Sequence, residues 1–260
     1  MTLIKQGKKK MKICHSDMDF KKSFKFELAK QTICCPKHGD IEVEIPKFKS
    51  KMFENLKCPV CENEQQEEKE KELLEKERLE RLKYMGIRKR HFNSTFDNYQ
   101  IVNEKAYKIV SELKKAVETK SNNSFLLYGK SGTGKTHLCS VAVAKLGGIY
   151  CTWEDISLEI RSSYAHTAKE TEKDIMQRLF KIPFLVIDEI DKGVDSDAKK
   201  SAISNIYRER YENCLPTWLA GNCNSEWVKQ MIDTSVIDRL KQGGRSLCFD
   251  WESYRPNLKD

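Results

Sequence analysis

The run Gly129-Lys130-Ser131-Gly132-Thr133-Gly134-Lys135-Thr136 matches the spacing of a phosphate-binding loop at every position. Its glycines let backbone N–H groups turn inward on an anion, beside the positive end of the helix that must follow. Residues 129–134 would line the phosphates, Lys135 would reach the β- and γ-phosphates of ATP, and Thr136 would ligate Mg2+. In PFLVIDEID, four apolar residues run straight into Asp188 and Glu189. Asp188 would hold Mg2+ through water, and Glu189 would orient the attacking water of a phosphoryl transfer. The chemistry these residues predict is ATP hydrolysis.

A second constellation lies near the front of the chain. Cys35-Pro-Lys-His38 and Cys58-Pro-Val-Cys61 each place two metal-type ligands with two residues between them. Three thiolates and one imidazole make a full tetrahedral set for Zn2+, which leaves no open position for a substrate. Such a site is structural and folds a module too small to build its own core. Cys34 adjoins Cys35, but one step along an extended chain turns it to the opposite face. The spacing therefore selects Cys35. Cys14-His15 has no second pair and reads as ordinary residues. Cys139, Cys151, Cys214, Cys223 and Cys248 lie in apolar surroundings and read as small core residues.

Elements with the right order must position these groups. Five short apolar runs are strand candidates: SFLLYG (124–129), GIYCTW (148–153), PFLVID (183–188), PTWLAGN (216–222) and SLCFDW (246–251). Helical stretches separate them at 101–120, 135–146, 154–181 and 197–212. Strands alternating with helices predict an α/β fold, a five-stranded parallel sheet covered on both faces. Ligands of such sheets sit at the carboxyl ends of the strands, where the loop and Asp188 would emerge.

Composition divides the chain into a zinc module over 1–61, a charged linker helix over 62–83 and an ATPase domain over 84–260. The first zone is basic and contains IEVEI, an alternating stretch that reads as a short strand. The second, ENEQQEEKEKELLEKERLERLK, has no Gly or Pro and carries Glu72/Lys76 and Glu77/Arg81 at helix-stabilising spacing. With 39% hydrophobic residues the chain can pack a core, and its net charge of +8 is concentrated in a lysine-rich front. A basic front suits an anionic partner or a solvated tail. No apolar run is long enough to span a bilayer, and none follows the basic start as a secretory core would. A cytoplasmic protein with reduced thiols is the expectation, so its ten cysteines argue for metal ligation and buried thiols.

The order of phosphate loop, DEID, PTWLAGN, DRL and FDWESYR resembles AAA+ ATPases, specifically bacterial and phage helicase loaders of the DnaC and DnaI type. The resemblance covers roughly residues 84–260, and GIRKRHFNSTFDNY is similar to that family's approach to the adenine pocket. It implies that Asn222 takes a sensor position that polarises the lytic water. Arg239 would be the arginine finger acting on ATP held by a neighbouring subunit, with Arg208 and Arg210 as rival bridging residues. Arg255 would contact the γ-phosphate in its own subunit. It further implies an ATP-dependent homo-oligomer, a replicative hexameric helicase as partner of the zinc module, and single-stranded DNA as ligand. The chain ends soon after the fifth strand, which leaves no room for a full C-terminal lid or for the helix-turn-helix of a DnaA-type initiator.

The segment between the second and third strand candidates is longer than one crossover helix needs. It carries Arg161, Tyr164, Lys169, Lys173 and Arg178, a set suited to a single-stranded DNA channel, though Glu159, Glu170, Glu172 and Asp174 are interleaved. Two other functions fit the same ATPase motifs. One is an IstB-type transposition helper that binds duplex DNA and a transposase. The other is a non-catalytic ATP-gated adaptor, against which the intact Asp188-Glu189 pair argues.

Overall fold

Alternating residues of Leu28–Cys35 (β1) and Gly39–Pro46 (β2) pair as an antiparallel hairpin, with Ile33 opposite Ile41 and Cys35 opposite Gly39. The computed structural model describes residues 27–46, 57–194 and 196–254. Cys14, His15, most of the basic front and Arg255 lie outside the described residues. IEVEI falls within β2, while β1 was not expected, because LAKQTICC mixes long polar side chains with its apolar ones. The helix α1 runs over Pro59–Tyr84, with proline at the first helical position where its missing N–H costs nothing. The chain divides into two compact units, Met1–Leu73 and Leu74–Asp260, so the boundary falls within α1. Most of α1 is solvated, and Leu82 is its buried residue.

The second unit is an α/β domain. Its helices are α2 (Glu104–Glu118), α3 (Lys135–Leu146), α4 (Trp153–Ser162), α5 (Glu172–Lys181), α6 (Asp197–Glu212), α7 (Ser225–Met231) and α8 (Thr234–Gly243). Its strands are β3 (Ser124–Gly129), β4 (Ile149–Thr152), β5 (Leu185–Asp188), β6 (Thr217–Gly221) and β7 (Gly244–Phe249). All pairings are parallel, in the order β4-β5-β6-β3-β7. Alternation along the strands divides the core. Phe125, Leu127, Val186, Trp218 and Phe249 pack with α2 and α3, whereas Leu126, Leu185, Ile187 and Leu219 pack with α4 to α8. The order sets β6 between the phosphate-loop strand β3 and the Asp188 strand β5, so the end of β6 emerges between the two halves of the nucleotide site.

Three expectations are corrected. The stretch 154–181 is two helices, because Thr171 caps α5 with a capping box through Asp174 and breaks the run. Cys214 is exposed; it follows the end of α6 with φ 54, a left-handed turn position outside the core. Arg210 cannot bridge subunits, because its side chain is fully buried. Its guanidinium donates to Thr217 Oγ1 (2.8 Å) and to the carbonyls of Leu179 (2.7 Å), Ile182 (2.6 Å) and Pro216 (2.9 Å). Burial pulls that guanidinium down to about 10. Arg210→Met would leave those acceptors dry, at a cost of about 3 kcal/mol, which urea denaturation measures.

Candidate nucleotide site and metal centre

The phosphate loop joins β3 to α3, and Gly134 enters the helix with φ 89, a left-handed conformation a side chain would strain. Ser131 and Lys130 are exposed at the rim, while Thr133 and Lys135 are buried beneath it. Lys135 Nζ donates to the carbonyls of Gly129 (3.0 Å) and Lys130 (2.6 Å), so the ammonium already sits inside the loop. Burial lowers its pKa, and the charge of Asp188 partly offsets this. A phosphate would compensate the same buried charge.

Two further segments brace the loop. Tyr99 donates its hydroxyl to the carbonyl of Thr133 (2.6 Å) and packs against Gly134. After β7, Glu252 pairs with Lys130, and the Tyr254 N–H donates to the Gly132 carbonyl (3.0 Å). Gly132, at φ 77, meets Ser253 so closely that a Cβ would collide with it. The stretch FDWESY thus lies against the phosphate loop. His91 and His137 lie edge-to-face, 6.3 Å between ring centres, with Tyr99 5.7 Å from His137. Burial depresses the pKa of both imidazoles, so they are neutral at pH 7.

At the end of β5, Asp188 is 3% exposed and faces the start of α3. Thr136 Oγ1 donates to Asp188 Oδ2 at 2.7 Å. The pair fits a divalent cation, because the threonine hydroxyl can donate to the carboxylate and still present a lone pair to the ion. Tyr150 on β4 donates its hydroxyl to the same oxygen at 2.8 Å, a contact the sequence did not signal. Glu189 follows with φ 53, a strained conformation for a residue with a Cβ, and its N–H donates to Asp188 Oδ1 at 2.7 Å. Its side chain is half-buried.

Asn222 is exposed directly after β6, and its N–H donates to Asp191 Oδ1 at 2.8 Å. Arg239 lies on α8, against α6 of its own chain. It pairs with Glu212 (3.2 Å) and stacks over Tyr211 at 5.4 Å. Its Nε is buried without a hydrogen-bond partner. Arg208 is exposed and bonds Asn205. In the segment nominated for DNA, Arg178 pairs with Glu159 (2.6 Å), and the exposed Tyr164 donates to Glu172 (2.7 Å). Arg161, Lys169 and Lys173 are exposed.

The first unit brings Cys35, His38, Cys58 and Cys61 together, with all four donor atoms within 4.8 Å of one another. Cys61 Sγ is 3.3 Å from His38 Nδ1 and 3.6 Å from Cys35 Sγ; His38 Nδ1 is 3.7 Å from both Cys35 and Cys58. A tetrahedral Zn2+ with bonds near 2.3 Å spaces its ligands about 3.8 Å apart, so the donor set fits. Cys34 is exposed and outside the cluster. Backbone N–H groups of His38 and Lys37 hold the Cys35 thiol down to about 6, while a hydrogen bond with Cys35 drives Cys61 up to about 11. His38 Nε2 lies 3.1 Å from Glu64 Oε1, the carboxylate–imidazole support seen behind metal-bound histidines. Glu64, not foreseen in the sequence, is one helical turn beyond Cys61. No helix among the described residues is long and apolar enough to cross a membrane.

Residues 54–260 match the family described as IstB-like ATP binding protein. The replicative helicase loader DnaC of Buchnera aphidicola (subspecies Acyrthosiphon pisum) is 31% identical over 182 residues, spanning 67% of this chain and 74% of that protein. The protein of the same name in Escherichia coli K12 is 30% identical over 181 residues, 66% of this chain and 74% of that one. A crystal structure of the DnaC helicase loader superposes with a TM-score of 0.54 at 18% identity, covering 63% of this chain and 100% of that chain.

Proposed function

This chain belongs to the IstB-like ATP-binding protein family, and from that premise we propose that it loads a hexameric replicative DNA helicase onto single-stranded DNA under the control of ATP. The observation that carries the reading is the 31% identity to a protein named replicative helicase loader. The short bond between Thr136 and Asp188 supports a nucleotide site with Mg2+ at its centre. When bound, Mg2+ neutralises charge on the phosphates. Lys135 pairs with the β- and γ-phosphates, Thr136 and Asp188 hold the cation, and Glu189 orients the attacking water. Asn222, emerging between β3 and β5, polarises that water. Arg255, outside the described residues, is assigned to the γ-phosphate of the same subunit on the family resemblance alone.

Arg239 acts on ATP in an adjoining subunit, which requires it to leave Glu212. Glu212 is exposed and Arg239 half-buried, so the exchange gives up one ion pair and the stacking on Tyr211, while the guanidinium Nε that has no partner among the described residues would gain one. ATP therefore favours a homo-oligomer, with single-stranded DNA along residues 154–181, where Arg161, Lys169 and Lys173 are exposed. The zinc module over 1–61 grips the helicase, the helix over 62–83 links it to the ATPase domain over 84–260, and hydrolysis releases the complex. The protein is then a slow cytoplasmic switch rather than a turnover enzyme.

The test is native mass spectrometry of the zinc-loaded protein with its host's replicative helicase, in ATP and then ADP. The Glu189→Gln variant is expected to bind ATP without hydrolysing it and to hold the complex longest. A defined complex weakened by ADP is the expected result. Absence of a complex in both nucleotides, with the protein folded and zinc-bound, would overturn the loader reading. The family's description favours a second reading, the transposition helper, which would prefer duplex DNA and a transposase.

A further inference from the structure

We propose that Tyr150 is a positioning residue of the nucleotide site, acting through Asp188 to set how tightly the site takes Mg2+ with its nucleotide. Tyr150 is 4% exposed on β4, two residues before the position that pairs with Asp188 across the sheet. From there its ring runs toward the carboxyl edge, and its hydroxyl reaches Asp188 Oδ2. A tyrosine phenol carries its proton at neutral pH, and with the Asp188 carboxylate as its partner the hydroxyl is the donor of this bond.

The count of bonds on the carboxylate explains why this matters. An ionised carboxylate offers about four lone-pair positions. Here Oδ2 accepts Thr136 and Tyr150, and Oδ1 accepts the Glu189 N–H. Three donors from three elements fix the carboxylate's rotation, which leaves roughly one lone pair for a cation-bound water. Thr136 and the Glu189 N–H are parts of the site itself. Tyr150 is the donor contributed from outside the recognised motifs.

Its backbone is fixed as well. The Tyr150 N–H donates to the Met85 carbonyl at 2.8 Å, and Gly86 packs so closely on the Tyr150 carbonyl that any Cβ there would collide. The start of the segment GIRKRHFNSTFDNY is thus tied to the residue that bonds the Asp188 carboxylate. A phenylalanine would fill the same space, so packing alone does not call for the hydroxyl.

The proposal rests on Asp188 holding Mg2+, and the test separates the two. Binding of a fluorescent ATP analogue is titrated with Mg2+, and again in EDTA, for the full chain and for Tyr150→Phe and Asp188→Asn. Removing a residue that supports a metal ligand raises half-saturation by about tenfold or more. Tyr150→Phe is expected to need about tenfold more Mg2+, with nucleotide affinity in EDTA and thermal midpoint close to those of the parent. An unchanged Mg2+ requirement in Tyr150→Phe, with Asp188→Asn impaired, overturns the role of Tyr150 alone. Equal losses with and without Mg2+ make it merely structural and also overturn it. An unimpaired Asp188→Asn removes the reading of Asp188, and the proposal with it.

Discussion

Lys135→Ala is expected to lose at least about 100-fold in ATP affinity, read by titrating a fluorescent ATP analogue. In the structure Lys135 is 5% exposed, and among the described residues its ammonium donates to the carbonyls and hydroxyl of its own loop. Those partners are neutral dipoles, and burial disfavours the charge they hold. A β- or γ-phosphate supplies the opposite charge where water is excluded, and a charge-assisted bond there is about twice as strong as a neutral one. Losing two such bonds, each about 1.5–3 kcal/mol, corresponds to roughly two to four decades of affinity. Lys130 cannot substitute, because it is exposed at the rim and paired with Glu252. The fold should survive, since α3 keeps its buried Leu138, Cys139, Val141 and Val143. Unchanged affinity in a folded Lys135→Ala protein would remove the phosphate-loop assignment.

What could be read from the sequence was local, and what could not was tertiary. SFLLYG and the helix over 135–146 form with the expected bounds, because an apolar run, a glycine loop and a helix-forming stretch follow one another without interruption. Asp188 was legible because four apolar residues announce a buried strand ending in a charge. The short helices α7 and α8 escaped notice. Each is 10 residues or fewer, and the only side-chain cap between them, Asn224 accepting from Trp227, looks like any loop asparagine.

Arg210 and Tyr150 escaped for a different reason. An arginine in IYRERYE reads as a helix surface charge, and its neighbour Arg208 is one. Only the assembled sheet brings the Leu179, Ile182 and Pro216 carbonyls around the position two residues later. Tyr150 reads as a core aromatic until β4 and β5 pair and carry its oxygen to Asp188. Arg239 shows the converse. The resemblance to helicase loaders implies a partner in another subunit, whereas within one chain Glu212 and Tyr211 occupy it. Roles that need two subunits leave no trace in the packing of one.

Zinc removal should unfold the first unit while leaving the nucleotide site intact. Among that unit's described residues the buried hydrophobic side chains are Cys35, Val43 and Cys58, and two of the three belong to the candidate metal cluster. A lone two-stranded hairpin is marginal in water, and one valine cannot supply what the chain loses in entropy on folding. Zinc binding in small modules provides about 10–16 kcal/mol, enough to decide folding outright. One zinc per chain is therefore expected by elemental analysis, and a strong chelator should collapse the amide dispersion of residues 28–46 in NMR spectra. ATP affinity should remain as before. Cys35→Ser and Cys58→Ser should lose the metal, whereas Cys34→Ser should keep it, because Cys34 faces solvent outside the cluster. A chelated chain that retained the β1–β2 hairpin would show that the donors come together without a metal, and the structural reading of the cluster would fall.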